Sequence, residues 1–203
     1  MSVIVTGGTA TSTTAVEALK AYLRITHDAE DELLASLLAS AKAWAEGYLG
    51  TPLEAVERTY AVGVAPRETY LAIPAAPVDA TRPIVIRDPE GSLYDSDAFT
   101  LNANAGLLTT GGTIAGRQLL TPGTWSVTCT AGMSVRSDYA STLKPLFAHG
   151  ITLLAADWYA NRNPRASSEN DGDTSTVLIS VFASSGGVPP WVVAIFRPYR
   201  RVV

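Results

Sequence analysis

At 203 residues, with 47% hydrophobic and 17% charged side chains, the chain can bury the core of one domain with extensions. The formal charge of −4 gives no global attraction to nucleic acid, so any contact with DNA must rest on local features. A single cysteine, Cys129, excludes an intrachain disulfide and a thiolate metal cluster. Residues 1–14 are a short apolar start followed by Gly, Thr and Ser, without the basic stretch and long apolar core of a signal peptide. No run approaches the roughly 20 apolar residues of a membrane span. The expectation is a protein made in the cytoplasm and, given its low charge, one that covers part of its surface by assembly.

The spacing predicts a first helix from Thr14. Thr14 and Glu17 fit a capping box, and Val16, Leu19, Tyr22 and Leu23 fall on one face. A second helix is predicted after Asp28 as N-cap, with Glu30, Asp31 and Glu32 in its first turn, where the helix dipole favours negative charge. Leu33, Leu34, Leu37, Leu38, Ala41, Trp44, Ala45, Tyr48 and Leu49 repeat along it. Gly50 and Pro52 supply the stop.

From Val56 the period changes. Residues 58–64, 69–73, 83–87, 98–101 and 124–130 are β-prone, punctuated by turn residues such as Asp88-Pro89-Glu90-Gly91. Trp125, Val127 and Cys129 alternate with Ser126, Thr128 and Thr130, as in a half-buried strand. Helical spacing returns after Ser141. Leu143, Leu146, Phe147, Leu154 and Trp158 form a stripe that Ile151 and Leu153 widen, ending before Pro164. Residues 165–187, rich in Ser, Asp, Asn and Gly around a small apolar run at 177–182, are expected to form a mobile arm with at most one strand. A short helix opened by Pro190 and closed before Pro198 is expected in the tail.

A search for chemistry returns little. No HExxH, CxxC, GxSxG or Walker-type loop is present. His27 reads as a solvated neighbour of a helix cap and His149 as a packing residue. The glycine pairs Gly7-Gly8 and Gly111-Gly112 read as turns, and the acidic cluster at residues 28–32 as helix capping. No cofactor, metal or catalytic residue is expected. The tail stands out: Trp191, Val192, Ile195 and Phe196 give a wide apolar face on a helix too short to be stable alone, and Arg197, Arg200 and Arg201 follow. Apolar anchors beside guanidinium groups suit docking to an acidic partner, and they equally suit packing back on the parent domain.

The ordered set of segments resembles the head–tail connector (adaptor, head-completion) family of long-tailed bacteriophages, prophages and phage-like particles. Residues 16–25, with Leu-Arg-Ile at 23–25, resemble the family's opening. Residues 31–50, with Trp44, Glu46 and Gly50, resemble its second helix, and residues 128–132 its closing strand. Residues 146–162, ending Trp-Tyr-Ala-Asn-Arg, resemble its long helix, and Pro198-Tyr199-Arg200 its terminus. The arm at 163–188 is longer than the family's usual one, and Thr26 stands where the family has an acidic residue.

The resemblance implies an α+β fold: two N-terminal helices and a long C-terminal helix as a bundle, an antiparallel β module inserted between them, and an extended C-terminal arm. The expected division is a connector domain at 1–163 (helical 1–50, β module 51–136, long helix 137–163) and an arm with docking segment at 164–203. It implies a non-enzymatic virion protein at the head–tail junction, forming a ring, commonly twelve-membered in the family, under the portal. It implies contact with a downstream head-completion or tail protein, and DNA passing through without sequence-specific binding. Trp191, Ile195, Phe196, Arg197, Tyr199, Arg200 and Arg201 are the expected portal-docking residues. The rival readings are another head-completion or tail-terminator ring, or a small phage-borne enzyme or carbohydrate-binding β module using its tryptophans.

Overall fold

A computed structural model describes residues 10–110, 119–161 and 188–201. The chain divides into two compact units, Met1–Tyr48 with Pro145–Arg200, and Leu49–Lys144 with Arg201–Val203. The first is helical and the second carries antiparallel sheets, so the fold is the α+β arrangement expected. The glycine pairs at 7–8 and 111–112 and the arm at 165–187 with its apolar run lie outside the described residues. No helix among the described residues is long and apolar enough to cross a membrane.

In the helical unit, α1 (Ala10–Leu23) begins upstream of the expected Thr14 cap, so Thr14 sits inside the helix. It buries Val16 and Leu19, but Tyr22 is exposed. Its end is closed by the Ile25 N–H, which donates to the Lys20 carbonyl at 2.9 Å while Arg24 adopts a positive φ of 58°. That closure usually falls to glycine; a non-glycine residue there costs about 1 kcal/mol. The second helix, α2 (Asp31–Leu49), starts three residues after Asp28, so Asp28 does not cap it. The Asp28 carboxylate instead receives the Lys20 ammonium at 2.5 Å, with Asp31 at 2.8 Å from the same nitrogen. This pairing holds the Asp28 carboxyl below, and the Lys20 ammonium above, its ordinary range. The buried stripe of α2 is Leu34, Leu38, Ala41, Ala45 and Leu49, whereas Leu33 is exposed and Trp44 half-buried. Gly50, at φ 73°, ends the helix as expected.

A short π-helical turn at Tyr139–Leu143 runs directly into α3 (Lys144–Ala160), whose second residue, Pro145, has no amide to donate. Phe147, Gly150, Leu154, Ala155 and Ala156 are buried, and Tyr159 donates its hydroxyl to the Glu30 carboxylate. His149 is exposed, which corrects its reading as a packing residue. Gly150, Ala155 and Ala156 take inward positions, whereas Ala148 and Ala160 are exposed.

In the second unit, β1 (Val56–Val64), β2 (Tyr70–Ala72), β3 (Val85–Arg87), β4 (Leu93–Tyr94), β5 (Phe99–Asn102), β6 (Leu107–Thr110) and β7 (Gly123–Ala131) form two antiparallel sheets, ordered β1-β7-β3-β4 and β2-β6-β5. The sequence missed β4 and β6. Two residues are too few to show a period, and Leu107 and Leu108 followed by two threonines do not alternate. The Asp88–Gly91 turn joins β3 to β4; the Asp88 carboxylate accepts the Glu90 and Ser92 amides, and Gly91 takes φ 86°. Val62, Trp125, Val127, Cys129 and Ile86 face inward and meet Leu71, Phe99 and Leu108 of the other sheet in one core. Trp125 is edge-on to Tyr94 and Phe99, and its indole donates to the Thr121 carbonyl at 2.9 Å. Where β7 ends, a Cβ on Gly132 would lie 2.5 Å from the Glu54 carbonyl oxygen, so only glycine lets the two backbones approach there.

Trp125→Ala should lower stability by about 3–5 kcal/mol in denaturant unfolding, since it empties the centre of this core. Burial pushes the Cys129 thiol up to about 11, so almost no thiolate exists at pH 8. Alkylation of Cys129 at that pH should be negligible in native protein and rapid in denaturant. Fast labelling of the folded protein would contradict its burial.

Candidate docking surface

The C-terminal segment draws its order from its ends. Pro189 and Pro190 fix φ at the start of α4 (Pro190–Phe196), where a missing amide costs nothing. A 3-10 turn, Arg197–Tyr199, follows it directly. At seven residues α4 cannot hold itself together; burial of Val192 and Phe196 does so.

Phe196 is the centre of an aromatic run within the helical unit. It stacks on Phe147 at 5.5 Å between centroids and meets Trp44 edge-on at 5.8 Å. Tyr199 closes on the other side of Phe147, edge-on at 5.4 Å. Trp44 stacks on Tyr48 at 5.2 Å, and the Arg200 guanidinium lies 5.1 Å from the Tyr48 ring centroid. Gly150 makes the slot: a Cβ there would sit 2.9 Å from the Phe196 ring. The sequence signalled this only as a glycine inside a helical pattern, the mark of a close packing contact.

The expected docking residues therefore separate. Phe196 is fully buried in its own unit, as in the reading in which the tail packs back on the parent domain. An apolar ring of this size gains its burial wherever the nearest complementary slot lies, and Gly150 provides one within the chain. Arg201 is also engaged: its guanidinium donates to the Ile73 and Ala105 carbonyls, both at 2.8 Å, and its amide to the Leu49 carbonyl. Burial lowers its guanidinium from the ordinary value. Ile195 and Tyr199 are half-buried. Trp191, half-exposed, and Arg197 and Arg200, both exposed, present an aromatic and two cations to solvent.

The other tryptophans offer no comparable surface. Trp125 is core, and Trp44 and Trp158 are half-buried on helices. Among the described residues no three His, Cys, Asp or Glu side chains come together to hold a metal ion. The carboxyl of Asp157 is raised by partial burial, with Asn161 donating to it at 3.2 Å, which is the ordinary environment of a helix end.

Comparison with known proteins gives a consistent picture. Residues 13–104 match the model of the phage gp6-like head-tail connector protein family. No curated protein matches the chain. Among solved structures it is similar to a chain in the neck of an empty gene transfer agent (GTA) particle, computed with C6 symmetry. The identity is 22% and the TM-score 0.61, covering 98% of this chain and 94% of that one. It is similar to a chain of a native GTA virion at 23% identity and a TM-score of 0.58, over 98% and 94%. A chain in the neck of a native GTA particle, computed with C12 symmetry, matches at 21% identity and a TM-score of 0.55, over 99% and 97%.

Phe196→Ala should cost about 3–5 kcal/mol. Gly150→Val should cost about 1–3 kcal/mol by overpacking. In the Phe196→Ala background the second cost should largely vanish, because the clash partner is gone. Trp191→Ala should cost no more than about 1 kcal/mol, in keeping with its half-burial. Thermal or denaturant unfolding of the three single variants and the double variant measures all of this. Additive effects of Gly150→Val and Phe196→Ala would refute the slot.

Proposed function

We propose that the chain is a structural neck subunit joining the DNA-filled head of a virion or GTA-like particle to what lies below, a reading supported by the match of residues 13–104 to the phage gp6-like head-tail connector model. The observation that carries this reading is the extent of the fold correspondence, 98% of this chain over 94% of a neck-particle chain. The six- and twelvefold symmetry of those particles supports a closed ring of identical subunits, in which one surface of each copy meets a different surface of the next. A twelve-membered ring under the portal protein is the form proposed here.

In that ring the protein works mechanically. It extends the DNA channel, and its charge of −4 suits passage without adhesion, because each phosphate neutralised by a cation would add binding. No residue is assigned a catalytic role, and no cofactor is required. The portal-facing surface is proposed to be Trp191 and Arg197, flanked by Ile195, Tyr199 and Arg200. Phe196 holds that surface in place from within its own unit. Guanidinium forks suit carboxylates on a neighbouring ring, and a half-exposed tryptophan supplies burial. The protein would be made in the bacterial cytoplasm and reside at the head–tail junction, in contact with the portal and with a downstream head-completion or tail protein.

The test is the Trp191→Ala/Arg197→Glu double variant, checked for native circular dichroism and then used to complement particles lacking the protein. Tailed particles should fall at least tenfold, the loss of about 1.4 kcal/mol or more at a docking hot spot. The remaining particles should carry DNA without tails, or leak it. Normal joining by the folded variant would move the docking surface elsewhere. Tailed particles formed without the protein at all would overturn the connector reading.

A further inference from the structure

The four-stranded sheet has two ends, β1 and β4. β1 runs for nine residues and pairs with β7 on one side, in unbroken register. Val56, Glu57, Arg58 and Thr59 are exposed, so the first half of the strand is bare on both faces. An edge of this length is commonly blunted by a proline or a bulge, because its unpaired amides and carbonyls are a template for another strand. β1 has neither.

Hydrogen-bond parity shows which backbone groups are unused. In an antiparallel pair, successive residues turn their amide and carbonyl alternately towards the partner and away from it. The Asp88 amide donates to the Ser92 carbonyl at 3.1 Å, so Arg87 and Leu93, the next pair, turn their groups away from each other. Those of Arg87 meet Ser126 of β7, and those of Leu93 point to the open side of β4. The alternation carries through β7. Ser126 and Thr128 face β3, and the Thr130 carbonyl accepts the Asp79 amide on that same side. Trp125, Val127 and Cys129 therefore face β1 and bond Val62, Tyr60 and Arg58. Glu57, Thr59, Ala61 and Gly63 are left with amides and carbonyls pointing out of the sheet. Among the described residues, no backbone group pairs with these four or with Leu93 on the open sides.

We infer that β1 of one copy pairs with β4 of the next copy of the same chain, so that the sheet runs on from subunit to subunit. This interface rests on the ring form of the connector reading. The four strands alternate in direction. Because four is even, β4 of one copy and β1 of a rotated neighbour are antiparallel, the sense used throughout the sheet. Outward groups must meet outward groups, so Thr59, Ala61 or Gly63 stands opposite Leu93. A slip of one residue would reverse the faces. Within a copy, Ala61, Ser126, Arg87 and Leu93 form one row across the sheet. Continuing that row sets Leu93 opposite Ala61 of the neighbour. The Leu93 side chain, 69% exposed, then lies over Ala61 between Thr59 and Gly63, whose small side chains leave room for it. Tyr94 stands beside the neighbour's Tyr60 on the other face, a favourable cross-strand aromatic pair. The two edges are different surfaces, and such head-to-tail contacts close into rings. Four strands about 4.8 Å apart advance about 19 Å per copy, so twelve copies surround an opening rather than a packed barrel.

The test uses cysteines in particles assembled with the full chain. Cys129 is buried, so it does not compete for reagent. Leu93→Cys/Ala61→Cys, treated with a short bismaleimide, should give a ladder of linked multimers. Either cysteine alone should give none, because each lies on only one of the two edges. Ala61→Pro removes an outward amide, which a proline on an edge strand tolerates. That variant should keep the circular dichroism and unfolding midpoint of the free protein, while its incorporation into particles falls at least tenfold. Val62→Pro, whose amide faces β7, should instead unfold the sheet. Linked dimers from Ala61→Cys alone would show β1 pairing with β1 and overturn the proposal. Normal incorporation of Ala61→Pro, or particles that hold the double-cysteine protein without linkage, would overturn this pairing and leave the connector reading standing. Absence of the protein from tailed particles would overturn both.

Discussion

The helical unit depends on one contact, the Phe196 ring lying on Phe147 over the missing side chain of Gly150. Without it a seven-residue helix has no reason to form, because its backbone hydrogen bonds do not offset the entropy of ordering it. With it, Trp44 closes from the α2 side and Tyr199 from beyond the tail helix, so one ring organises three helices and a turn. The residues that follow inherit their positions from that anchor. Arg197 and Trp191 face solvent because Phe196 and Val192, on the opposite face of the same short helix, face inward.

The sheet unit is organised differently, by a continuous strand rather than by a slot. β7 pairs with β1 along nine residues and with β3 on its other side, so its alternation fixes which face of the whole sheet is buried. Trp125 fills the middle of that face, and the second sheet lays Leu71, Phe99 and Leu108 against it. Arg201 then donates to two loop carbonyls, those of Ile73 and Ala105. A terminal arginine that looks in the sequence like a free cation thus has a structural use.

The charged groups of the described residues serve mainly to fix local geometry. The described ion pairs sit at corners and turns: Lys20 with Asp28 and Asp31, Arg136 with Asp138, and Asp79 with Arg82. The Asp138 and Asp79 carboxyls are lowered, the first by Arg136 and the second by the hydroxyl and amide of Thr81, as expected of groups that fix loops. Trp191, Arg197 and Arg200 are left exposed.

The sequence by itself determined much of the architecture. The 3.6-residue spacing of α2 and α3, the Gly50 stop and the alternation around Trp125 located the long helices and the central strand, because each is a local pattern repeated over many residues. The ordered resemblance to connectors was legible for the same reason, being spread over the whole chain. Short elements were not: β4 and β6 carry too few residues for a period, and their pairing partners are distant in sequence. Nor could spacing tell Leu34 from Leu33, or exclude Tyr22 from the core, because a broad apolar stripe has two edges and only the neighbouring helices decide which is covered. The tail shows the limit most clearly. Phe196 and Trp191 are equally apolar in sequence, five residues apart on one short helix. Gly150, 46 residues upstream of Phe196, decides that the first is buried, because burial depends on a complementary space that only the tertiary structure creates.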